Sequence, residues 1–266
     1  MVYATFIEFT HDTAMVHWNE RLRASGIHLG ISLAIAVLAA TLVFALWYPY
    51  PYREISGGRE LFLILVTVDV IMGPLITLAV FNRNKPRGEL RRDLAVVGIL
   101  QLAALGYGLW TVSLARPVHL AFEIDRFRVV HGVDVPVDLI GQEPAGIEAL
   151  PIGGPTIVAV RPFRSENERV DATIAALRGV QIGARPDFWM PYADARDRVL
   201  AAAHPVADLR RRFPARAAEI DAAVARTGRN AEALAWLPMT GRKFFWTTLI
   251  DRTTADVVGF LPLDPY

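Results

Sequence analysis

Three apolar segments dominate the first 116 residues of the chain. They cover residues 30–48, 61–81 and 94–115, and the only charged residue within them is Asp69 in the second segment. As helices, segments of about 20 apolar residues are long enough to cross a bilayer core of about 30 Å. A pair of buried helices in a soluble protein is the alternative for any one segment, but three in succession favour a membrane protein with three transmembrane α-helices between residues 30 and 116.

After residue 116 the pattern changes to that of a small soluble α+β domain, residues 117–266. β-branched and aromatic residues at 118–130 predict a strand. Ser165 followed by Glu168 fits a capping box and predicts a helix start, with Val170, Ile174 and Leu177 on one face. Further predicted elements are a strand at 156–160, helices at 192–203 and 215–227, and strands at 234–237, 244–251 and 257–261.

The charges of the loops predict the orientation. Basic loops stay on the cytoplasmic side of a membrane. The loop between the second and third segments holds Arg83, Lys85, Arg87, Arg91 and Arg92, and Arg21 and Arg23 precede the first segment, whereas the loop between the first two segments holds only Arg53 and Arg59. Residues 1–29 are therefore expected in the cytoplasm and the α+β domain on the opposite side of the membrane, which in a bacterium is the periplasm.

The beginning of the chain has two alternative interpretations. The first apolar segment resembles the apolar core of a signal peptide, but a long polar stretch precedes it and no small-residue cleavage site follows. It is followed instead by an aromatic cluster at 47–52, which is typical of a membrane interface. Met15 is an alternative start to Met1.

Composition and motifs give little sign of catalysis. The chain has 266 residues, 53% of them hydrophobic, a mean hydropathy of +0.31, a net charge of +1 and no cysteine. The charge argues against nucleic-acid binding, and the missing cysteines exclude thiol chemistry. Phosphate-binding loops, zinc-binding histidine motifs and nucleophile elbows are absent from the sequence. We expect neither enzymatic activity nor a cofactor or metal, and interpret Glu123 and Asp125 as a charged strand edge rather than an acid–base pair.

Asp69 is the candidate functional residue within the apolar segments. A lone carboxylate in a bilayer is costly unless it is paired or protonated. Counting eight residues, or about 12 Å, from the outer end of the second segment places Thr41 and Tyr107 at its depth, with Gln101 deeper. Gly73 and Pro74 follow Asp69 and predict a kink beside it. Asp69 either holds the three helices together through these hydroxyl groups or faces an incoming partner helix.

Several short strings are distinctive as a set: Gly26-Ile27-His28-Leu29, Trp47-Tyr48-Pro49, Val68-Asp69-Val70-Ile71-Met72-Gly73-Pro74-Leu75, Arg91-Arg92-Asp93-Leu94-Ala95-Val96, Gln101-Leu102-Ala103-Ala104-Leu105, Phe122-Glu123-Ile124-Asp125-Arg126-Phe127, Leu237-Pro238-Met239-Thr240-Gly241-Arg242 and Leu261-Pro262-Leu263-Asp264-Pro265-Tyr266. Together they resemble the type IV pilin accessory protein family (TfpX/TfpZ-like), over nearly the whole chain from about His17 onward.

The resemblance implies an inner-membrane protein with a chaperone-like role that helps a cognate major type IV pilin assemble into pili. On this hypothesis the protein binds the membrane helix of the pilin and its periplasmic head. Asp69, Thr41, Gly73, Pro74 and Tyr107 are then the candidate partner-binding residues. The pilus assembly machinery is a further possible partner, besides the lipid bilayer. Two alternatives remain: a membrane-anchored periplasmic enzyme that modifies pilin or envelope components, and a scaffold subunit of the pilus machine.

Overall fold

Helices make up the first part of the protein. The computed structural model describes residues 2–82 and 85–266, with the backbone alone for residues 2–17; Met1 and Arg83, which entered the sequence analysis, lie outside the described residues. The helices are α1 (Val2–Thr41), continued by a π-helical turn (Leu42–Trp47), α2 (Tyr52–Ile55), α3 (Gly58–Thr67), joined through a second π-helical turn (Val68–Met72) to α4 (Gly73–Val80), and α5 (Arg87–Leu114).

Three of these helical stretches are long and apolar enough to cross a membrane. They run over Trp18–Trp47, Gly58–Val80 and Arg87–Leu114 in the described part of the chain. The three predicted helices are thereby confirmed as elements, but each begins earlier than predicted. Helical structure continues through the flanking polar residues, because helix formation depends on the whole chain segment and not on its apolar positions alone.

The chain divides into two compact units. The first, here called the helical unit, is the chain up to Val43 together with Arg59–Val112, and the second, the sheet domain, is Phe44–Gly58 together with Ser113–Tyr266. Within the helical unit, α1 is tied to α4 by two side-chain hydrogen bonds. The Ser25 hydroxyl donates to the carbonyl of Pro74 (2.9 Å), and His28 Nδ1 lies 2.5 Å from Thr77 Oγ1.

The sheet domain is built on one mixed sheet. Its strands are β1 (Pro117–Glu123), β2 (Arg126–His131), β3 (Thr156–Val160), β4 (Trp189–Pro191), β5 (His204–Pro205), β6 (Leu234–Thr240), β7 (Phe245–Asp251) and β8 (Val257–Leu261). The order is β4-β3-β1-β2-β6-β7-β8, with β5 paired to β6. The pairs β1–β3 and β2–β6 are parallel, and the others are antiparallel. This confirms a mixed α and β domain after the helices.

The segment predicted as a single strand at 118–130 is an antiparallel hairpin. β1 and β2 are separated by a turn at Ile124 and Asp125, so the prediction of one strand was wrong. Aspartate favours turns because its side chain can bond to nearby backbone groups. The Phe122 and Phe127 rings pack edge-on across the two strands, with centroids 5.7 Å apart, which stabilises the hairpin.

The loop between the first two candidate spans belongs to the sheet domain. Tyr52 and Ile55 are buried in the same core cluster as Leu120, Phe122 and other sheet residues, and Tyr48 is buried too. The aromatic cluster at 47–52 was predicted to face a membrane interface. That prediction is wrong for Tyr48 and Tyr52, since their rings pack inside the sheet domain; Tyr50 is half-exposed.

Four helices complete the sheet domain: α6 (Glu166–Leu177), α7 (Arg196–Ala202), α8 (Val206–Arg212) and α9 (Ala217–Arg226). The predicted cap of α6 is confirmed, since Ser165 Oγ accepts a hydrogen bond from the Glu168 N–H at 3.1 Å. The helices expected at 192–203 and 215–227 are α7 and α9, each preceded by a 3₁₀ turn, whereas α8 was not predicted. Helix α8 packs into a second core cluster through Val206 and Leu209.

Candidate functional site

An apolar cavity surrounds Asp69 in the helical unit. Its volume is about 180 Å³. It is lined by residues of all three candidate spans: His28, Ile31, Ser32, Ile35, Ala36, Val66, Asp69, Gly98, Gln101, Leu102 and Leu105. Asp69 Oδ2 is buried and has no hydrogen-bond partner among the described residues. An unpaired carboxylate oxygen in an apolar cavity is a strong acceptor that lacks a donor, so the cavity is chemically suited to an N–H or O–H group from outside the chain.

The backbone at Asp69 explains why Gln101 lies beside it. In a π-helical turn the carbonyl of residue i accepts from the N–H of residue i+5, and for Asp69 in the turn Val68–Met72 that residue is Pro74, which has no N–H. The side-chain amide of Gln101 donates to the Asp69 carbonyl instead, at 3.1 Å. A π-helical turn that α5 stabilises therefore directly precedes Gly73 and Pro74, where the sequence predicted a kink.

Gly73 provides the space for this bond. It is buried, and a β-carbon at this position would clash with the amide of Gln101. Pro74 is also buried, with its carbonyl bonded to Ser25. Gly73 and Pro74 thus shape the backbone next to Asp69, but neither residue lines the cavity.

Thr41 and Tyr107 lie elsewhere, although their depth had been matched to that of Asp69. The Thr41 hydroxyl donates to the carbonyl of Val37 in its own helix (2.9 Å). Tyr107 is 68% exposed and its ring contacts Trp110. Neither residue lines the cavity. The pairing with Asp69 is corrected accordingly, and a role for either residue in binding a partner stays a prediction.

The depth estimate failed because it started from the wrong helix end. The second helix begins at Gly58, three residues before the assumed start, and the first helix ends at Trp47. Eleven residues separate Gly58 from Asp69, and counting the same number back from Trp47 gives Ala36, which does line the cavity. The estimate also ignored the direction in which each side chain leaves its helix.

Comparisons with known proteins identify the family. A family model described as "Fimbrial assembly protein FimB" matches residues 16–57. From Dichelobacter nodosus, "Fimbrial assembly protein, serogroup I" is 32% identical over 232 residues, which are 86% of this chain and 90% of the relative. The serogroup E1 protein is 31% identical with the same coverage. The chain belongs to the fimbrial assembly protein family. No solved structure matches it.

Membership among the fimbrial assembly proteins confirms the resemblance to the type IV pilin accessory family. A third relative, "Fimbrial assembly protein, serogroups C1 and C2", is 39% identical over 120 residues, 45% of this chain and 92% of the relative. Three of the sequence strings that carried the resemblance contribute lining residues to the cavity: His28, Asp69 and Gln101.

The sequence analysis did not predict that His28 and Ser32 line the cavity. Their signal was available: both are polar residues in or beside an apolar stretch.

A second, polar cleft of about 260 Å³ lies in the sheet domain, where β2 and β6 separate after the pair Arg128–Thr240. Asp134 accepts hydrogen bonds there from His131 (3.0 Å) and Arg242 (2.6 Å). Burial raises the pKa of Asp134, but the hydrogen bond and charge of His131, with the charge of Arg242, outweigh it and lower the pKa. The carboxylate is thus held ionised, as an ion-pair partner rather than a general acid.

The lining of this cleft contains no serine, threonine, cysteine, lysine or tyrosine side chain. Its residues are Arg128, Val129, Val130, His131, Asp134, Gly179, Gln181, Ala184, Gly241 and Arg242. Within the described residues there is also no group of three or more side chains suited to hold a metal ion. The acidic residues noted on the hairpin are separated: Glu123 accepts from Arg128 and from the Gly183 N–H, while Asp125 pairs with Arg126 on the surface.

The predicted apolar face of α6 is exposed. Val170 and Ile174 are exposed, and Leu177 is 85% exposed, while Ala172 is the buried residue of the helix. These three residues form a stripe on one side of the helix, since their spacing is four and three. Contiguous exposed apolar surface of this kind marks interaction sites in soluble domains.

Proposed function

We propose that this protein is an inner-membrane accessory protein with a chaperone-like role, which assists the assembly of a cognate type IV pilin without catalysing a reaction. Membership among the fimbrial assembly proteins supports the role in pilus assembly. The observation that carries the mechanism is the buried Asp69 Oδ2, which has no partner in the described part of the chain and lies in an apolar cavity between three candidate spans.

The proposed topology places the N-terminus in the cytoplasm and the sheet domain in the periplasm. It rests on the excess of arginine and lysine in the loop between the second and third spans, compared with the loop between the first and second. The latter loop is incorporated in the core of the sheet domain, so the two are expected on the same side of the membrane.

The size of the cavity limits what it can hold. A cavity of 150 Å³ in a protein core accommodates a benzene molecule, so about 180 Å³ admits a side chain or a chain terminus, but not a whole helix. The pilin helix therefore lies alongside the helical unit and inserts one group into the cavity.

The chemistry of Asp69 favours a donor as that group. Pilin helices typically carry a glutamate in their apolar stretch, and two carboxylates repel each other unless one is protonated. The N-terminal amine of the pilin, or a backbone N–H near it, supplies a hydrogen bond without that cost. Pairing there keeps the pilin helix in register until it leaves for the growing pilus.

The exposed stripe on α6 is the proposed contact for the pilin head. A binding role for the sheet domain is favoured over an enzymatic one, because the domain presents an exposed apolar stripe while its polar cleft has a single, ion-paired acid. Two contacts, one in the bilayer and one on α6, make recognition specific for one pilin, since both must fit together.

The proposal is tested by deleting the gene and measuring total cellular pilin and pilin sheared from the cell surface. The deletion is complemented with the wild type, with Asp69→Ala, and with Thr111→Ala, whose hydroxyl donates to the Tyr107 carbonyl of its own helix. We expect surface pilin to return with the wild type and Thr111→Ala but not with Asp69→Ala, at equal levels of the three proteins.

The two pilin pools separate the possible steps. Loss of total pilin in the deletion strain indicates protection of the pilin, and retained total pilin with lost surface pilin indicates an assembly step. Unchanged surface pili with unaltered pilin would contradict the proposed function.

A further inference from the structure

Glycines in loops of the sheet domain lie against the residues at the ends of the candidate spans. A β-carbon at Gly132 would lie 2.7 Å from the carbonyl oxygen of Leu114, the last residue of the third span. A β-carbon at Gly154 would lie 2.7 Å from the carbonyl oxygen of Leu46, one residue before the end of the first span. Span ends and sheet-domain loops are therefore in direct backbone contact at both positions.

A third contact involves the loop before the second span. A β-carbon at Gly241, in the β6–β7 turn, would clash with Ile55, and Lys243 in the same turn lies against Gly57, the residue before the second span begins. All of these residues belong to the sheet domain as the chain divides.

The strand registers bring the three contact regions to one edge of the sheet. Pro117 at the start of β1 pairs with His131 at the end of β2, just before Gly132. His119 pairs with Thr156 at the start of β3, just after Gly154. The β2–β6 ladder is parallel, so the turn at Gly241, which follows β6, lies at the same edge. We call this edge, with the loops at 132–133, 150–154 and 241–244 and the loop at 48–57, the span-side edge.

Exposed apolar side chains are found on every loop of the span-side edge. Tyr50, Val133, Ile152 and Phe244 are between 49% and 67% exposed. Each lies within about two residues of a contact described above or in the loop that joins two spans. Tyr50 also contacts Trp246 and Phe260, at ring-centroid distances of 6.1 and 6.4 Å, which holds its ring in place.

We propose that the span-side edge rests on the bilayer and that Tyr50, Val133, Ile152 and Phe244 insert into its interfacial region. The inference rests on the membrane anchoring in the proposed function. Trp47 ends one span and Gly58 begins the next, so the loop between them is held at the membrane surface. Its contacts with the β6–β7 turn bring Phe244 to that surface, where aromatic and apolar side chains are favoured.

The position of these side chains favours the bilayer as the binding partner of the span-side edge. The four side chains come from separate loops, yet each lies near the end of a span or in the loop that joins two spans, and span ends are fixed at the level of the lipid headgroups. Seating them about 5–10 Å into the boundary between headgroups and acyl chains removes their apolar surface from water. It also sets the orientation of the sheet domain, with the β1–β2 turn directed away from the membrane.

Site-specific fluorescence on the full chain tests the proposal, helped by the absence of cysteine from the sequence. Single cysteines replace Ile152 or Phe244 and carry a polarity-sensitive NBD label, with the protein reconstituted in lipid nanodiscs. Ile124→Cys is the matched control, because Ile124 is an equally apolar, 71% exposed residue at the β1–β2 turn, seven residues or about 23 Å beyond Pro117. Leu100→Cys, an exposed position within the third span, reports insertion of the spans.

We expect labels at 152 and 244 to emit at shorter wavelength than the label at 124 and to lose most of their emission to lipids with a nitroxide near the headgroup. The label at 100 should respond instead to a nitroxide deep in the acyl chains. A water-like, unquenched label at both 152 and 244, with a quenched label at 100, would overturn the insertion while leaving the membrane anchor intact. An unquenched label at 100 would overturn both the membrane anchoring of the spans and the insertion of the edge. Labels at 152 and 244 that become shielded only when pilin is added would show that the edge binds pilin instead of the bilayer.

Discussion

Replacing Gly73 by alanine is expected to break the hydrogen bond between Gln101 and the Asp69 carbonyl. The backbone of Gly73 is an ordinary right-handed helix, with φ −59° and ψ −55°, so alanine suits the backbone itself. The new β-carbon, however, would occupy the place of the Gln101 amide. Because that amide is the free end of a flexible side chain, Gln101 moves aside and gives up its 3.1 Å bond.

The magnitude follows from comparison with Gly98→Ala. Gly98 lines the cavity, and a β-carbon there would have no atom within 4 Å. Both substitutions reduce the freedom of the unfolded chain by a similar amount, about 0.5–1 kcal/mol, so this contribution cancels. The remaining difference is the loss of one hydrogen bond. Such a bond contributes about 0.6 kcal/mol on average between membrane helices and up to about 1.5 kcal/mol in soluble proteins. Gly73→Ala should therefore be less stable than Gly98→Ala by about 1 kcal/mol.

The assay is reversible unfolding of the purified full chain in mixed micelles with increasing SDS, followed by circular dichroism. The same pair of substitutions is then made in a Gln101→Ala background, which removes the bond beforehand. The difference between the two glycine variants should disappear there, since a double-mutant cycle isolates the interaction. Equal stability of the two variants in the wild-type background, or a difference that persists without Gln101, would refute the reasoning.

Three further outcomes are expected. Ile55→Ala removes a fully buried side chain from the core of the sheet domain and should lower the free energy of unfolding by about 2–5 kcal/mol; unchanged protease resistance of the domain would contradict the place of this loop in the core. Burial lowers the pKa of His119 to about 4, below the value of about 6.5 in an unfolded chain. The unfolded chain then binds more protons between these values, so stability should fall, by at most about 3 kcal/mol, as the pH drops from about 6.5 to about 4, and His119→Gln should show a shallower fall in thermal unfolding over that range. Leu177→Asp changes a side chain that is already in water, so stability should stay within about 0.5 kcal/mol while surface pilin decreases; normal surface pilin would remove α6 from the proposed contact.

The apolar pattern was sufficient to predict the three long helices and the change to a mixed domain, since long apolar segments leave few alternatives. Helix ends were less predictable, because polar residues such as Arg21 and Arg23 continue a helix once it has formed. The error in the starting residue of the second helix then carried over into the neighbours assigned to Asp69.

The pattern of apolar and polar residues could not predict contacts between distant parts of the chain. Tyr48 and Tyr52 follow a span in an aromatic sequence that is typical of a membrane interface. Only their packing against the sheet shows that they are buried. The same holds for α6, since the pattern places Val170, Ile174 and Leu177 on one face but does not show whether that face is buried or exposed. The role of Gln101 was within reach, since Pro74 leaves a carbonyl without a donor, but the partner depends on how α5 packs.

Photo-crosslinking in living cells tests most directly whether the cavity around Asp69 receives the pilin. A benzophenone amino acid replaces Ile31 or Leu102, which line the cavity from α1 and α5, and Leu38 serves as an exposed control on α1 that does not line it. We expect a product containing pilin from positions 31 and 102 and little or none from position 38. No pilin product from either cavity position, with both proteins present at normal levels, or equal products from all three positions, would contradict it.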